Sequence, residues 1–254
     1  MPKDVITGSF KYATKNIYFF LFVFLLMFLI SLSLNFGDKF GIWNFIVSIF
    51  IIGYGLLVIK DVIDGGTRLP KIRPKEMIVL GIKGNIVLMF YIFVQGLILI
   101  TISTLFNFPE FDIEDLLLNL QETIHLASTH DPTSFALFFV LGCIVFYIFT
   151  FFLELALAQL ADGGTLRNAF NFPKIKHAID IIGWKNFTID YTKIILSLII
   201  ISILNNAIDT YWPIDILLQI LFFMWMFLIE FRGMGVIYKE YTDKKIEFDQ
   251  KNKK

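Results

Sequence analysis

Glu154, Gln159, Asp190 and Lys193 are the residues of this chain with the most chemistry to offer, because each lies in or beside a long apolar block. A charge inside a membrane costs about 2.5–3.5 kcal/mol at a helix centre, so one that is kept there invites a functional explanation. Glu154 stands eight residues before Asp162, about 12 Å in from the helix end that Asp162 marks. Gln159 follows it by somewhat more than one turn. Asp190 and Lys193 are i,i+3 neighbours and can pair. Together with Glu230 and Arg232 they could line a polar pocket opening to one side of the membrane, suited to binding a polar solute or ion. The plainer alternative is that each charge pairs locally or snorkels to the interface, and it is favoured for Lys193, Glu230 and Arg232.

No constellation points to catalysis, so the chain is not read as an enzyme and no catalytic residue is named. His125, His130 and Asp131, with Glu122, suggest a metal site at first sight. A helix places positions i and i+5 on different sides, however, and no His-Glu-x-x-His motif exists. Asp64-Gly65-Gly66-Thr67 lacks the Gly-Lys-Ser/Thr ending of a phosphate loop. Cys143 is the only cysteine and lies in an apolar run apart from any histidine. No metal or cofactor is expected.

In composition, 57% of the residues are hydrophobic and 17% are charged, against about 45–50% and about 25% in soluble domains. The apolar residues come in long blocks, which a soluble core does not need. The expected fold is therefore all-α: an integral bundle of six transmembrane helices arranged as three hairpins, with short interfacial helices on the cytoplasmic side. The expected spans are Ile17–Leu34, Ile42–Ile59 continuing to Asp64, Ile86–Phe106, Phe135 to about Ala161, a less clean fifth around Ile194–Leu204, and Ile214–Ile229. Gly65 and Gly66 should stop the second, since glycine accepts the left-handed backbone that closes a helix. Pro70 and Pro74 keep the next residues extended. Lys75–Asn85 is expected to form a short amphipathic surface helix. Residues 107–134 form an acidic outer loop with an amphipathic face, and residues 238–254 a Lys-rich tail.

The basic residues give the threading. Of the 22 Lys and Arg, all but Lys39 fall on one side of this scheme, while residues 107–134 have none. Cations accumulate in the cytoplasm, so both termini are expected there, in a multi-pass protein of the cell membrane. The net charge is zero and gives no case for nucleic acid. The expected partners are the bilayer and anionic lipid head groups at the basic segments; a homo-oligomer or protein partner stays open.

The basic passages repeat. Asp64-Gly65-Gly66-Thr67 matches Asp162-Gly163-Gly164-Thr165, Leu69-Pro70-Lys71-Ile72 matches Phe172-Pro173-Lys174-Ile175, and Gly81-Ile82-Lys83 matches Gly183-Trp184-Lys185. Lys11 corresponds to Lys83. Glu240-x-x-Asp243 is a fainter third copy of Asp61-x-x-Asp64. The single membrane domain, 1–254, is thus expected to hold three parallel units of about 1–72, 73–172 and 173–254. Gly65, Gly66, Pro70, Gly81, Gly163, Gly164, Pro173 and Gly183 are their structural punctuation.

Gly53-Tyr54, the exit at Gly65, Leu69-Pro70 and Gly81-Ile82-Lys83 resemble the pattern of a prokaryotic, largely archaeal, multi-pass membrane family, domain of unknown function 4013. The chain departs from that pattern in having Leu56, Leu57 and Lys60 in place of an Arg-rich helix end. It also has Lys75-Glu76-Met77 in place of an acidic-Trp pair. The resemblance implies a membrane bundle of uncharacterised function and an archaeal-like source, and brings no reaction or site residue. Two functions follow from the residues: a permease-like protein with an inward-facing polar pocket, or a non-transporting scaffold docking lipid or protein through its basic loops. Membrane-impermeant labels attached within residues 107–134 and within the tail should react from opposite faces of an intact cell; reaction from the same face removes the hairpin threading.

Overall fold

The computed structural model describes residues 6–13, 18, 21–22, 24–26, 28–29, 41–106, 132–207 and 212–251. Most of the expected first span, 17–34, lies outside them, as does most of the acidic loop with its histidines. Among the described residues there are eight helices and no strand: α1 Thr7–Ala13, α2 Gly41–Ile63, α3 Pro74–Leu105, α4 Pro132–Gly163, α5 Leu166–Ala169, α6 Phe172–Ile182, α7 Trp184–Ala207 and α8 Trp212–Lys251. Five are long and apolar enough to cross a membrane, over Trp43–Ile63, Pro74–Leu105, Thr133–Gly163, Trp184–Asn205 and Leu217–Glu247. The doubtful fifth span of the sequence is thus a helix of full length.

The chain forms two compact units, residues 1–87 with 154–254 and residues 88–153. In the first, α8 is the axis, packing most extensively on α2 and α7 and also on α6 and α1. Its core contains Tyr54, Leu56 and Ile59 of α2, Ile175 and Ile179 of α6, Phe187 and Tyr191 of α7, and Leu228, Met234, Ile237 and Tyr238 of α8. At 40 residues, α8 is about 60 Å long, twice a hydrocarbon core of about 30 Å, so one end must leave the bilayer. α6 is amphipathic. Asn171 caps it by accepting a hydrogen bond from the Lys174 backbone N–H at 3.0 Å. Ile175, Ala178, Ile179 and Ile182 are buried at helical spacing, and Gly183 ends it at φ +96°.

α2 and α3 approach closely at glycines, as membrane helices do. A Cβ on Gly53 would strike the Met77 carbonyl, and one on Gly81 the Ile49 carbonyl. Ser48 donates across the same crossing to Asn85 Oδ1 at 3.0 Å, and Asn85 donates to the Gly81 carbonyl at 2.9 Å. Gly55 lies under the Phe231 ring and Gly235 against Val62, so α2 and α8 interlock in the same manner.

The second unit consists of the remaining parts of α3 and α4. Its surface is apolar: Phe93, Leu97, Ile100, Leu137, Phe139, Val140 and Phe146 are exposed, as lipid-facing residues are. Thr101, Thr104 and Thr150 hide their hydroxyls by donating to carbonyls four residues back at 2.8, 2.8 and 2.9 Å. That is the cheapest solution where no water is at hand.

Several expectations need correction. Residues 75–85 are not a separate surface helix. α3 runs unbroken from Pro74, whose missing N–H costs nothing at a first turn, because Gly81 is needed for close packing rather than for a turn. The Lys-rich tail is helical over residues 238–251. α8 continues through them, with Tyr238 and Tyr241 buried. Glu230 and Arg232 are therefore interior to α8 rather than at its end. Pro70 and Pro173, matched in sequence, differ in structure: Pro70 lies in a segment without regular secondary structure and Pro173 in the first turn of α6. The two glycine turns differ by one residue, with positive φ at Gly65 in the first and at Gly164 in the second.

Gly81→Leu should unseat α3 from α2. A cost above the about 1–3 kcal/mol of ordinary overpacking is expected, since backbone and not a flexible side chain is in the way. Thermal unfolding in detergent should show a clear drop, and an unchanged midpoint would refute the crossing.

Candidate functional site

Lysines gather where helices end. A helix leaves its last carbonyls unpaired and its C-terminus partly negative. Lys83 Nζ donates to the Gly164 carbonyl at the end of α4 at 2.6 Å. Lys239 donates to the Ile63 carbonyl at the end of α2 at 3.2 Å, and Lys244 to the Ile182 carbonyl at the end of α6 at 3.2 Å. In each case the donor belongs to a different helix, so the cation both caps and clamps. Carboxylates then balance the cations: Lys60 and Arg73 meet Glu76 at 2.7 and 3.0 Å, Lys244 meets Glu240 at 2.7 Å, and Lys239 meets Asp243 at 3.5 Å.

Each Asp-Gly-Gly turn borders a cleft. The first, about 380 Å³, is lined by Gly65, Gly66 and Thr67 together with Lys11, Arg232 and Lys239. The second, about 460 Å³, is lined by Gly163 and Gly164 together with Lys60, Lys75 and Lys83, and also by Glu76 and Asp162. Beside the first, the Tyr12 hydroxyl donates to Asp61 Oδ2 at 2.9 Å. Burial above all, and the Asp61 charge after it, hold the Tyr12 phenol above its ordinary pKa, so it remains a neutral donor. The Arg232 guanidinium lies 5.6 Å from the centre of the Tyr12 ring, a cation–π arrangement, and donates to Ser9 Oγ at 3.4 Å.

The sequence-selected residues divide. Glu154 of α4 meets Glu230 of α8, carboxyl to carboxyl. Glu154 is 8% exposed and Gln159 0%. Glu154 Oε2 and both amide atoms of Gln159 have no hydrogen-bond partner. Asp190 is buried and pairs with Lys193 at 2.8 Å, as their spacing predicts. Arg232 goes instead to Tyr12 and Ser9. Sequence reasoning groups Glu154 and Glu230 in one polar pocket but missed their direct contact, since Glu230 lies just past the expected sixth span, Ile214–Ile229. It also missed the capping lysines, which it counted only as topology signals; their positions beside helix-ending glycines were the available clue. Cys143 is exposed among apolar residues of the second unit. Among the described residues no group of His, Cys, Asp and Glu could hold a metal ion.

A family model described as a protein of unknown function, DUF4013, matches residues 40–229. The chain belongs to that family. Comparison with curated proteins and with solved structures gave no match. The matched DUF4013 region contains both Asp-Gly-Gly turns, Lys83 and Glu154, and stops just short of Glu230 and of Lys239 and Lys244.

Lys83→Met should remove a charge-assisted bond worth about 1.5–3 kcal/mol and lower the thermal midpoint in detergent, with Lys83→Arg retaining part of it. Equal midpoints for Met and wild type would mean that the α4 terminus needs no cap.

Proposed function

We propose that this chain is a non-transporting scaffold of the cell membrane, crossing it six times with both termini in the cytoplasm and docking anionic lipid or a partner through its basic segments. The observation that carries this reading is the closed packing at the end of α4. Every residue from Leu155 to Ala161 is buried, and neither glycine-turn cleft is lined by Glu154, Gln159 or Asp190. The lysines of the basic segments are engaged in holding helix ends together, which suits a rigid platform. The three-unit repeat is supported by Lys11 and Lys83, aligned in sequence, each lining the cleft of its own Asp-Gly-Gly turn.

A permease-like role is the second reading. What favours it is the Glu154–Glu230 contact with an unpartnered carboxyl oxygen and an unpartnered Gln159 in a membrane-embedded segment, a costly arrangement to keep without use. Proteoliposomes of the purified protein, loaded with a pH-sensitive dye and given a pH step, distinguish the two. The expected proton leak equals that of empty vesicles. A protein-dependent flux that Glu154→Gln abolishes would overturn the scaffold in favour of the permease.

A further inference from the structure

We propose that the cleft at the first Asp-Gly-Gly turn is a phosphate site that takes the head group of an anionic phospholipid. Three cations converge on it from two helices, Lys11 of α1 and Arg232 and Lys239 of α8, against the backbone of Gly65 and Gly66. None of the described residues that line it is an aspartate or glutamate. The Asp61 carboxylate lies against Gly66 and accepts from the Tyr12 hydroxyl at 2.9 Å, and Asp243 pairs with Lys239 at 3.5 Å. Its volume of about 380 Å³ admits a phosphodiester and its substituent.

The second cleft is an internal contrast. It has the same glycine turn and three lysines, but Glu76 and Asp162 are part of its wall, so an anion gains less there. Arg232 supplies what the second cleft lacks, a guanidinium able to meet two phosphate oxygens at once. The Tyr12 ring and the Ser9 hydroxyl hold it in place.

A lipid rather than a soluble phosphate is indicated by position. The cleft sits at the end of α2, whose apolar span closes at Ile63, and on the stretch of α8 from Arg232 to Lys239, which directly follows the apolar run Ile214–Ile229. Basic pockets between membrane helices are where lipid head groups bind. This inference deepens the docking role proposed above but does not need it, since a permease could carry the same site.

The test uses the full-length protein in nanodiscs of phosphatidylcholine with and without phosphatidylglycerol, with native mass spectrometry counting retained lipid. Phosphatidylglycerol should be retained by wild type and held about tenfold more weakly by Lys11→Ala and Arg232→Gln, the loss expected for one charge-assisted contact. Lys75→Ala, in the second cleft, should retain it as wild type does. Because Lys11 is exposed, its variant keeps the test valid if Arg232→Gln misfolds. Equal retention by Lys11→Ala and wild type would overturn the proposal, as would equal loss in Lys75→Ala. Thermal stabilisation by inorganic phosphate without lipid retention would overturn the lipid assignment. Proton flux in proteoliposomes would overturn the scaffold and leave this site standing.

Discussion

Helix ends packed against their neighbours must find donors for their last carbonyls, and this protein is organised around meeting that demand. In water the carbonyls would be solvated at no cost. Near a bilayer each unpaired one costs several kcal/mol. The chain supplies two remedies at the same places, a glycine that turns the backbone aside and a lysine from another helix that donates to what is left. Gly65 with Lys239, Gly164 with Lys83 and Gly183 with Lys244 are three instances. Because each lysine comes from a neighbour, satisfying one helix fixes the position of another.

The same economy governs the helix crossings. Apolar side chains gain little by leaving lipid for protein, so contact depends on close packing and on the few polar groups that can be buried in pairs. Gly53 and Gly81 bring α2 and α3 to backbone contact, and the Ser48–Asn85 bond is enclosed there. α8 does for α2 with Gly235 what α3 does with Gly81, and carries Arg232 and Lys239 to the end of α2. A single long helix thereby joins the membrane part of the unit to its basic end.

Against this background the pair Glu154–Glu230 stands out, since it satisfies neither end of a helix nor a crossing. The first glycine-turn cleft likewise gathers Lys11, Arg232 and Lys239 along one wall. The pair belongs to the interior and the cleft to the rim. They are separable features, one relevant to ion movement and the other to lipid, which is why the two functional readings can be tested apart.

The sequence by itself determined the parts that depend on local composition. Uninterrupted apolar runs can only be helices in lipid, so α2, α3, α4, α7 and α8 were legible, as were the stops at Gly65 and Gly164 and the Asp190–Lys193 pair, four residues of one helix. What depends on which helices meet was not legible. Gly81 reads as a turn signal but is a packing surface, and residues 238–251 read only as a Lys-rich tail. Only the docked neighbours decide that Tyr238 is buried, that Glu230 faces Glu154, and that lysines eighty or more residues away close the ends of α2 and α4. Helix formation is enforced by hydrogen bonding within a segment; the partners of its termini and its charges are chosen by side-chain fit across distant ones.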